Sequence, residues 1–159
     1  MARQPRTLRE ELKQTKRFPS LADETCVAIL RTADVVRGLF ESRTGGTGIT
    51  LQQYNVLRIL RGAHPDLLPT LEIAGRMIER APGITRLLDR LETAGLVRRE
   101  RCSQDRRRVL CRITPAGLAM LDKVTGPLEA AGRTWAGRLP RGDLEQLLRL
   151  LGRLRDDTS

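Results

Sequence analysis

The side chains best equipped for chemistry in this 159-residue chain are guanidinium groups, and they are bunched. Arg106, Arg107 and Arg108 follow Asp105 directly, inside a stretch (residues 98–112) that holds seven Arg against two acids. Residues 1–17 hold six Lys or Arg against Glu10 and Glu11, while everything else carries 16 bases and 15 acids. The formal charge of +10 is therefore concentrated as +5 and +4 in two short segments. A solvated surface kept soluble by Arg explains such a total but not its concentration. Clustered cations point to a polyanion partner, either nucleic acid or an anionic membrane face.

Other chemistry lacks its residues. The single His, His64, sits in GAHPD beside Pro65, a loop position. The chain has no HExxH, GxSxG, Gly-rich phosphate loop or CxxC, so no catalytic residue is expected. Cys26, Cys102 and Cys111 are odd in number and widely spaced, which argues against a disulfide framework, and no four-ligand zinc spacing exists. Neither metal nor cofactor is expected. Cys26 occupies the apolar face of a helix and reads as core, with a redox-sensing thiol as the alternative. No apolar run approaches the ~18 residues of a membrane span, and the first 17 residues lack a signal-peptide core. The expectation is a cytoplasmic protein with reduced thiols and no membrane partner. A membrane-surface role for the basic arm is the alternative, but its apolar residues are few. The arm reads as a flexible segment that touches DNA backbone or a dimer partner.

The elements that would position these groups are mostly helices. Ser20 and Asp23 have capping spacing ahead of Ala22, Cys26, Ile29, Leu30, Ala33, Val36, Leu39 and Phe40, a helix to about residue 42. Thr44-Gly45-Gly46-Thr47-Gly48 is a flexible break. Thr50 and Gln53 form a capping box for a helix that stops at Gly62. Thr70 is the expected N-cap of a short helix bearing Leu71, Ile73, Ala74, Met77 and Ile78. The next helix begins at Pro82, a residue suited to a first turn, carries Ile84, Leu87, Leu88, Leu91 and Ala94, and ends at Gly95. The pattern then changes to a hairpin, residues 98–102 and 108–113, with the polar SQDRR between its strands. Thr114-Pro115 caps a helix bearing Leu118, Leu121, Val124 and Leu128, which Pro127 should kink or interrupt. A Leu-rich helix, from Leu144 to Leu154, closes the chain.

A short helix, a turn, a second helix and a basic hairpin make the plan of a winged helix-turn-helix. The expected fold is mainly α with one β-hairpin. The second helix is the natural groove reader: its apolar stripe leaves Gly83, Thr85, Arg86, Asp89 and Arg90 elsewhere on the surface. Arg can bond guanine O6 and N7 in the major groove, and Thr can meet a base edge or a phosphate. Gly83 would let the helix N-terminus approach the backbone, where its free amides favour phosphate. Arg106, Arg107 and Arg108 at the hairpin tip suit the narrow minor groove, whose negative potential attracts Arg. Asp105 would bond an adjacent Arg or the turn backbone. The DNA-facing set is completed by Thr70 and Pro82, at the starts of the two helices.

From about Leu51 to Gly117 the chain resembles the winged-helix domain of the MarR family, the multiple antibiotic resistance regulators of bacterial transcription. The resemblance rests on LQQYNVLRIL, LEIAGRM, ITRLLDRLETAGLVRRE and DRRRVLCRITPAG. The last two are the more specific: a T-R-x-x-D-x-L helix ending in GLV, then a D-x-R wing and a Thr-containing helix start. The resemblance implies an obligate homodimer with interleaved N- and C-terminal helices, bound to pseudo-palindromic duplex DNA and usually acting as a repressor. It implies that Arg107 is the wing arginine of the minor groove, with Asp105 as its supporting acid. It also implies release by a small lipophilic or phenolic effector bound between the two layers. Other family members respond to cysteine oxidation near the start of the first helix; here Cys26 lies further in and Tyr54 is the only tyrosine.

The apolar faces of the first and last helices exceed what a small winged domain covers, which independently favours packing on a second copy. Two recognition helices would then lie about 34 Å apart, one DNA turn. The expected domains are a basic arm (1–19), an N-terminal dimerisation helix and linker (20–48), the winged helix-turn-helix (49–116) and C-terminal dimerisation helices (117–159). The alternatives are a winged-helix protein-interaction module without DNA binding and a redox-responsive regulator using Cys26.

Overall fold

The computed structural model describes residues 6–80, 82–105 and 107–156. The chain divides into two units, Met1–Leu39 and Phe40–Ser159. In the first, α1 (Leu8–Glu11) is a single turn held by a capping box. Thr7 Oγ1 accepts the Glu10 amide at 3.4 Å, and the Glu10 carboxylate accepts the Thr7 amide at 2.8 Å. The next helix, α2 (Leu21–Thr44), carries the chain into the second unit. Ser20 Oγ accepts the Asp23 amide at 3.1 Å, as the capping spacing requires. Arg31 Nε donates to Glu11 at 2.8 Å and so fastens α1 to α2. The expectation of a flexible arm is corrected for these residues: residues 7–12 fold locally because two reciprocal caps satisfy the turn. Cys26 is also corrected, since it is exposed rather than core. An amphipathic pattern identifies an apolar face without identifying what covers it. Leu21 and Leu30 on the same helix are 80% and 70% exposed.

The second unit is built around α3 (Leu51–Ala63), whose Thr50–Gln53 capping box forms as the sequence indicates. The preceding Gly-rich segment is a hydrogen-bonded turn: Thr47 donates from both its amide and its hydroxyl to the Thr44 carbonyl. On one side, α3 packs against α6 (Pro115–Ala136), with Tyr54 Oη 3.4 Å from Thr125 Oγ1. The core gathers Val56, Leu57 and Leu60 of α3, Leu121 and Val124 of α6, and the inner faces of the elements between them. Each wholly buried Leu contributes roughly 1.5–3 kcal/mol. Pro127 lies inside α6, which continues past it, so of the kink or interruption expected there the interruption does not occur. The carbonyl that loses its bond belongs to Lys123, an exposed residue, so water can satisfy it.

Between α3 and α6 the chain forms β1 (Leu68–Pro69), α4 (Thr70–Gly75), α5 (Ile84–Thr93), β2 (Val97–Arg101) and β3 (Val109–Ile113). The expected hairpin is part of a three-stranded antiparallel sheet ordered β1-β3-β2. The added strand pairs Leu68 with Cys111 and Pro69 with Leu110; Pro lacks a donor, so an edge is where it fits. Val97, Cys111 and Ile113 face the core. Leu71 and Ile78, expected to help bury the short helix, are exposed. Met77 and Ile78 lie beyond the end of α4. The Ile78 amide donates to Oδ1 of buried Asn55 at 3.0 Å, which pins the chain between α4 and α5. The last helix, α7 (Arg141–Asp156), has no buried residue. No helix among the described residues is long and apolar enough to cross a membrane.

Candidate nucleic-acid interface

The helix expected to read a groove is α5. It buries Leu87, Leu88 and Leu91 and leaves Thr85, Arg86, Asp89 and Arg90 exposed. It begins two residues later than expected: Gly83 is the N-cap, and Pro82 lies in the turn before it. No side chain caps this end, so the first amides keep their capacity for an anion. The other end closes in a Schellman motif: Leu96 N–H donates to the Leu91 carbonyl, and Gly95 N–H to that of Glu92. Gly95 has φ +71°, a left-handed conformation that glycine adopts without strain.

Hydrogen bonds tie this helix to its neighbours. Arg99 of β2 donates from Nε to Glu92 Oε2 at 2.7 Å, and its Nη2 lies 2.7 Å from Asp89 Oδ1. The Arg99 amide donates to Glu92 Oε1 at 3.0 Å. The Arg99 guanidinium beside Glu92 holds that carboxyl below the usual carboxylate range, and Glu92 in turn raises the Arg99 guanidinium. At the start of α4, Thr70 is not the cap; Pro69 takes that position. Thr70 Oγ1 instead donates to the Val109 carbonyl at 3.2 Å, tying α4 to β3. It lies 3.8 Å from Cys111 Sγ. Burial pushes the Cys111 thiol up, away from a reactive thiolate.

The wing turn is held from inside. Arg107 N–H donates to Asp105 Oδ1 at 3.0 Å, and Arg108 N–H to the Asp105 carbonyl at 2.9 Å. Of the two partners open to Asp105 in the sequence, the turn backbone is the one observed. Cys102 N–H donates to the Arg108 carbonyl at 3.0 Å and closes the hairpin below the turn. Arg107 and Arg108 are exposed; Arg106 lies outside the described residues. Among the described residues, Arg86, Arg90, Arg107 and Arg108 have no ion-pair partner, whereas Arg99 has two. Arg98 and Arg112 face each other across β2 and β3. No group of three or more His, Cys, Asp or Glu among the described residues could hold a metal.

Sequence reasoning counted Arg99 with the cationic hairpin and missed its partners. A signal for them exists: Asp89 and Glu92 are one helical turn apart, and the Gly95 turn brings the chain back toward that turn.

Comparison with known proteins places this arrangement. The model of the MarR family matches residues 49–109, from just before α3 to the first residue of β3. A MarR transcription factor of known structure, from Planctomyces limnophilus, is 39% identical, with 86% of this chain and 98% of that one covered, at TM-score 0.66. The chain belongs to the MarR family. The homoprotocatechuate degradative operon repressor of Escherichia coli is 26% identical over 129 residues, spanning 81% of this MarR chain and 86% of that repressor. The fold also matches the MepR–DNA complex of Staphylococcus aureus, with TM-score 0.75 at 21% identity, covering 82% of this chain and 96% of that one. The winged helix-turn-helix expected from the residues is thus the fold of this MarR chain, with β1 added to its hairpin.

Proposed function

We propose that this MarR-family chain is a homodimeric, sequence-specific DNA-binding regulator, a repressor in output, that recognises pseudo-palindromic duplex DNA. In this reading α5 enters the major groove. Arg86 and Arg90 bond base edges there, and Thr85 meets a base edge or phosphate. Gly83 and Pro82 bring the open helix end close to the backbone, and Thr70 lies at the start of the helix beside it. The wing, with Arg106, Arg107 and Arg108, enters the minor groove, and Asp105 sets the turn.

The observation that carries this reading is the pairing of unpartnered Arg side chains on two adjacent elements. Exposed Arg86 and Arg90 on α5 accompany exposed Arg107 on a wing turn that Asp105 holds by its backbone. Packing does not account for guanidinium groups left without partners, whereas the phosphate and base edges of a duplex do. Two further observations support the dimer and the output. On α7, Leu148 and Leu154 are 69% and 56% exposed, an apolar face suited to a second copy of the chain. The named Escherichia coli relative is an operon repressor. Release by a small lipophilic or phenolic effector completes the reading and rests on family membership alone.

The test is a mobility shift with the DNA upstream of the protein's own gene, in the presence of excess random competitor. The expected result is a discrete, salt-sensitive complex with two-fold symmetric protection. Failure to retard that or any other genomic fragment contradicts the reading.

A further inference from the structure

The basic hairpin contains one Arg that is not available to a ligand. Arg99 is only 23% exposed in its side chain, and its Nε and Nη2 are committed to two carboxylates of the recognition helix. Its backbone amide bonds the same Glu92. One residue of β2 therefore holds the C-terminal half of α5 at three points. The strand it belongs to pairs with β3 along its whole length, from Val97–Ile113 to Arg101–Val109, and those two strands carry the wing turn. The placement of Arg86 and Arg90 relative to Arg107 thus passes through the Arg99 contact.

Charge adds a second consequence. Asp89 stands on the exposed side of α5, next to Arg90 and one turn from Arg86. A free carboxylate there would repel the phosphates that those arginines approach. Pairing with Arg99 neutralises it.

We propose that Arg99 is a positioning residue for DNA recognition: it fixes the angle between α5 and the wing and withdraws the Asp89 and Glu92 carboxylates from the phosphates, without touching DNA itself. The inference rests on the DNA-binding reading above. Arg is needed for the task because its planar fork spans two carboxylates, which the single ammonium of Lys does not.

The test uses the full-length protein and its footprinted operator, with Arg99→Lys, Arg99→Gln, Glu92→Gln and the Arg99→Gln/Glu92→Gln double variant. Both Arg99 variants are expected to weaken operator binding by about tenfold or more, and the double variant, whose net charge is unchanged, should keep the wild-type salt slope, since no phosphate contact is lost. The double variant should bind no more weakly than Arg99→Gln, because the two residues act through one contact. Wild-type affinity in Arg99→Lys overturns the proposal. So does a slope reduced by about one in the double variant with equal losses on operator and random DNA, which marks a phosphate contact. Amide exchange in the free protein provides a second readout. Arg99→Lys should speed exchange across residues 84–93 by more than its loss of global stability accounts for, and exchange that changes no more than the rest of the fold overturns the brace whatever the DNA result. If the wild-type protein binds no DNA, the functional reading falls, and accelerated exchange then shows that only the brace is real.

Discussion

Thr114 Oγ1 donates to the Gly95 carbonyl at 2.7 Å, joining the start of α6 to the residue that ends α5. The same oxygen accepts the Gly117 amide at 3.1 Å, and the Thr114 amide donates to the Leu96 carbonyl. One hydroxyl thus serves as N-cap for α6 and as a tie to α5. Removing it with Thr114→Ala should cost about 1–2 kcal/mol, chiefly the lost cap, since water can reach the exposed Gly95 carbonyl. Thr114→Ser should retain most of that stability. Urea unfolding of the two variants against wild type checks both.

Gly117 tests the close approach of α6 to the residue that leads from α5 into β2. A Cβ there would collide with the Leu96 carbonyl oxygen and lie 2.7 Å from Ile113 Cγ1. Gly117→Ala should therefore destabilise the protein by about 1–3 kcal/mol through overpacking. Gly38, inside α2 and not followed by proline, has open space where its Cβ would be. Gly38→Ala should stabilise by roughly 0.5–1 kcal/mol, since glycine costs a helix about that much relative to alanine. Thermal unfolding should show midpoints moving in opposite directions.

The Arg99–Glu92 pair predicts a pH dependence with a definite sign. The Glu92 carboxyl is lowered from its ordinary value of 4.5 in the folded protein. A depressed carboxylate adds stability that is fully present above the unfolded value and is lost as pH falls through the folded one. The stability difference between wild type and Glu92→Gln should accordingly be constant above about pH 5 and shrink as the solution is made more acid than 4.5. Thermal midpoints of both proteins across pH 3–8 (roughly the carboxylate range and above) provide the check. A difference that persists unchanged to the acid end contradicts the pairing.

The exposed leucines of α7 predict the oligomeric state. Leu148 and Leu154 lie open to solvent in the single chain. Sedimentation should show a dimer for wild type and a monomer for Leu148→Glu/Leu154→Glu. Operator affinity should fall steeply in the monomer, because two half-sites are no longer held at about one DNA turn. A variant that still sediments as a dimer removes α7 from the interface, and a wild-type monomer contradicts the dimer reading.

Much of the fold was legible wherever a local code sets the chain's course. The Thr50–Gln53 box, the Gly95 helix end and the capping bond of the Thr114-Pro115 start all work through neighbours within five residues, so the sequence contains the code for each. Features decided at a distance were not legible. Leu68-Pro69 is too short for any period, and its pairing depends on β3, some forty residues on. Cys26, Leu71 and Ile78 obey the apolar pattern yet stand exposed, because a pattern records a face and not its cover. Thr70 has a capping residue's chemistry but spends its hydroxyl on Val109. Within the basic hairpin, all seven arginines look alike in sequence. Only packing separates Arg99, held by two acids, from Arg107, which faces solvent with its amide fixed by Asp105.

The central claim is that α5 reads bases and the wing supplies charge in the minor groove. Its most direct measurement is quantitative binding of wild type, Arg86→Ala and Arg107→Ala to the footprinted operator, to single-base variants of it and to random DNA, at several salt concentrations. Arg107→Ala should weaken binding on every sequence and lower the salt slope by about one. Arg86→Ala should cost about 1–3 kcal/mol on the operator and lose discrimination at one base pair of each half-site. Equal losses for both variants on all sequences, or wild-type binding that does not distinguish operator from random DNA, would contradict it.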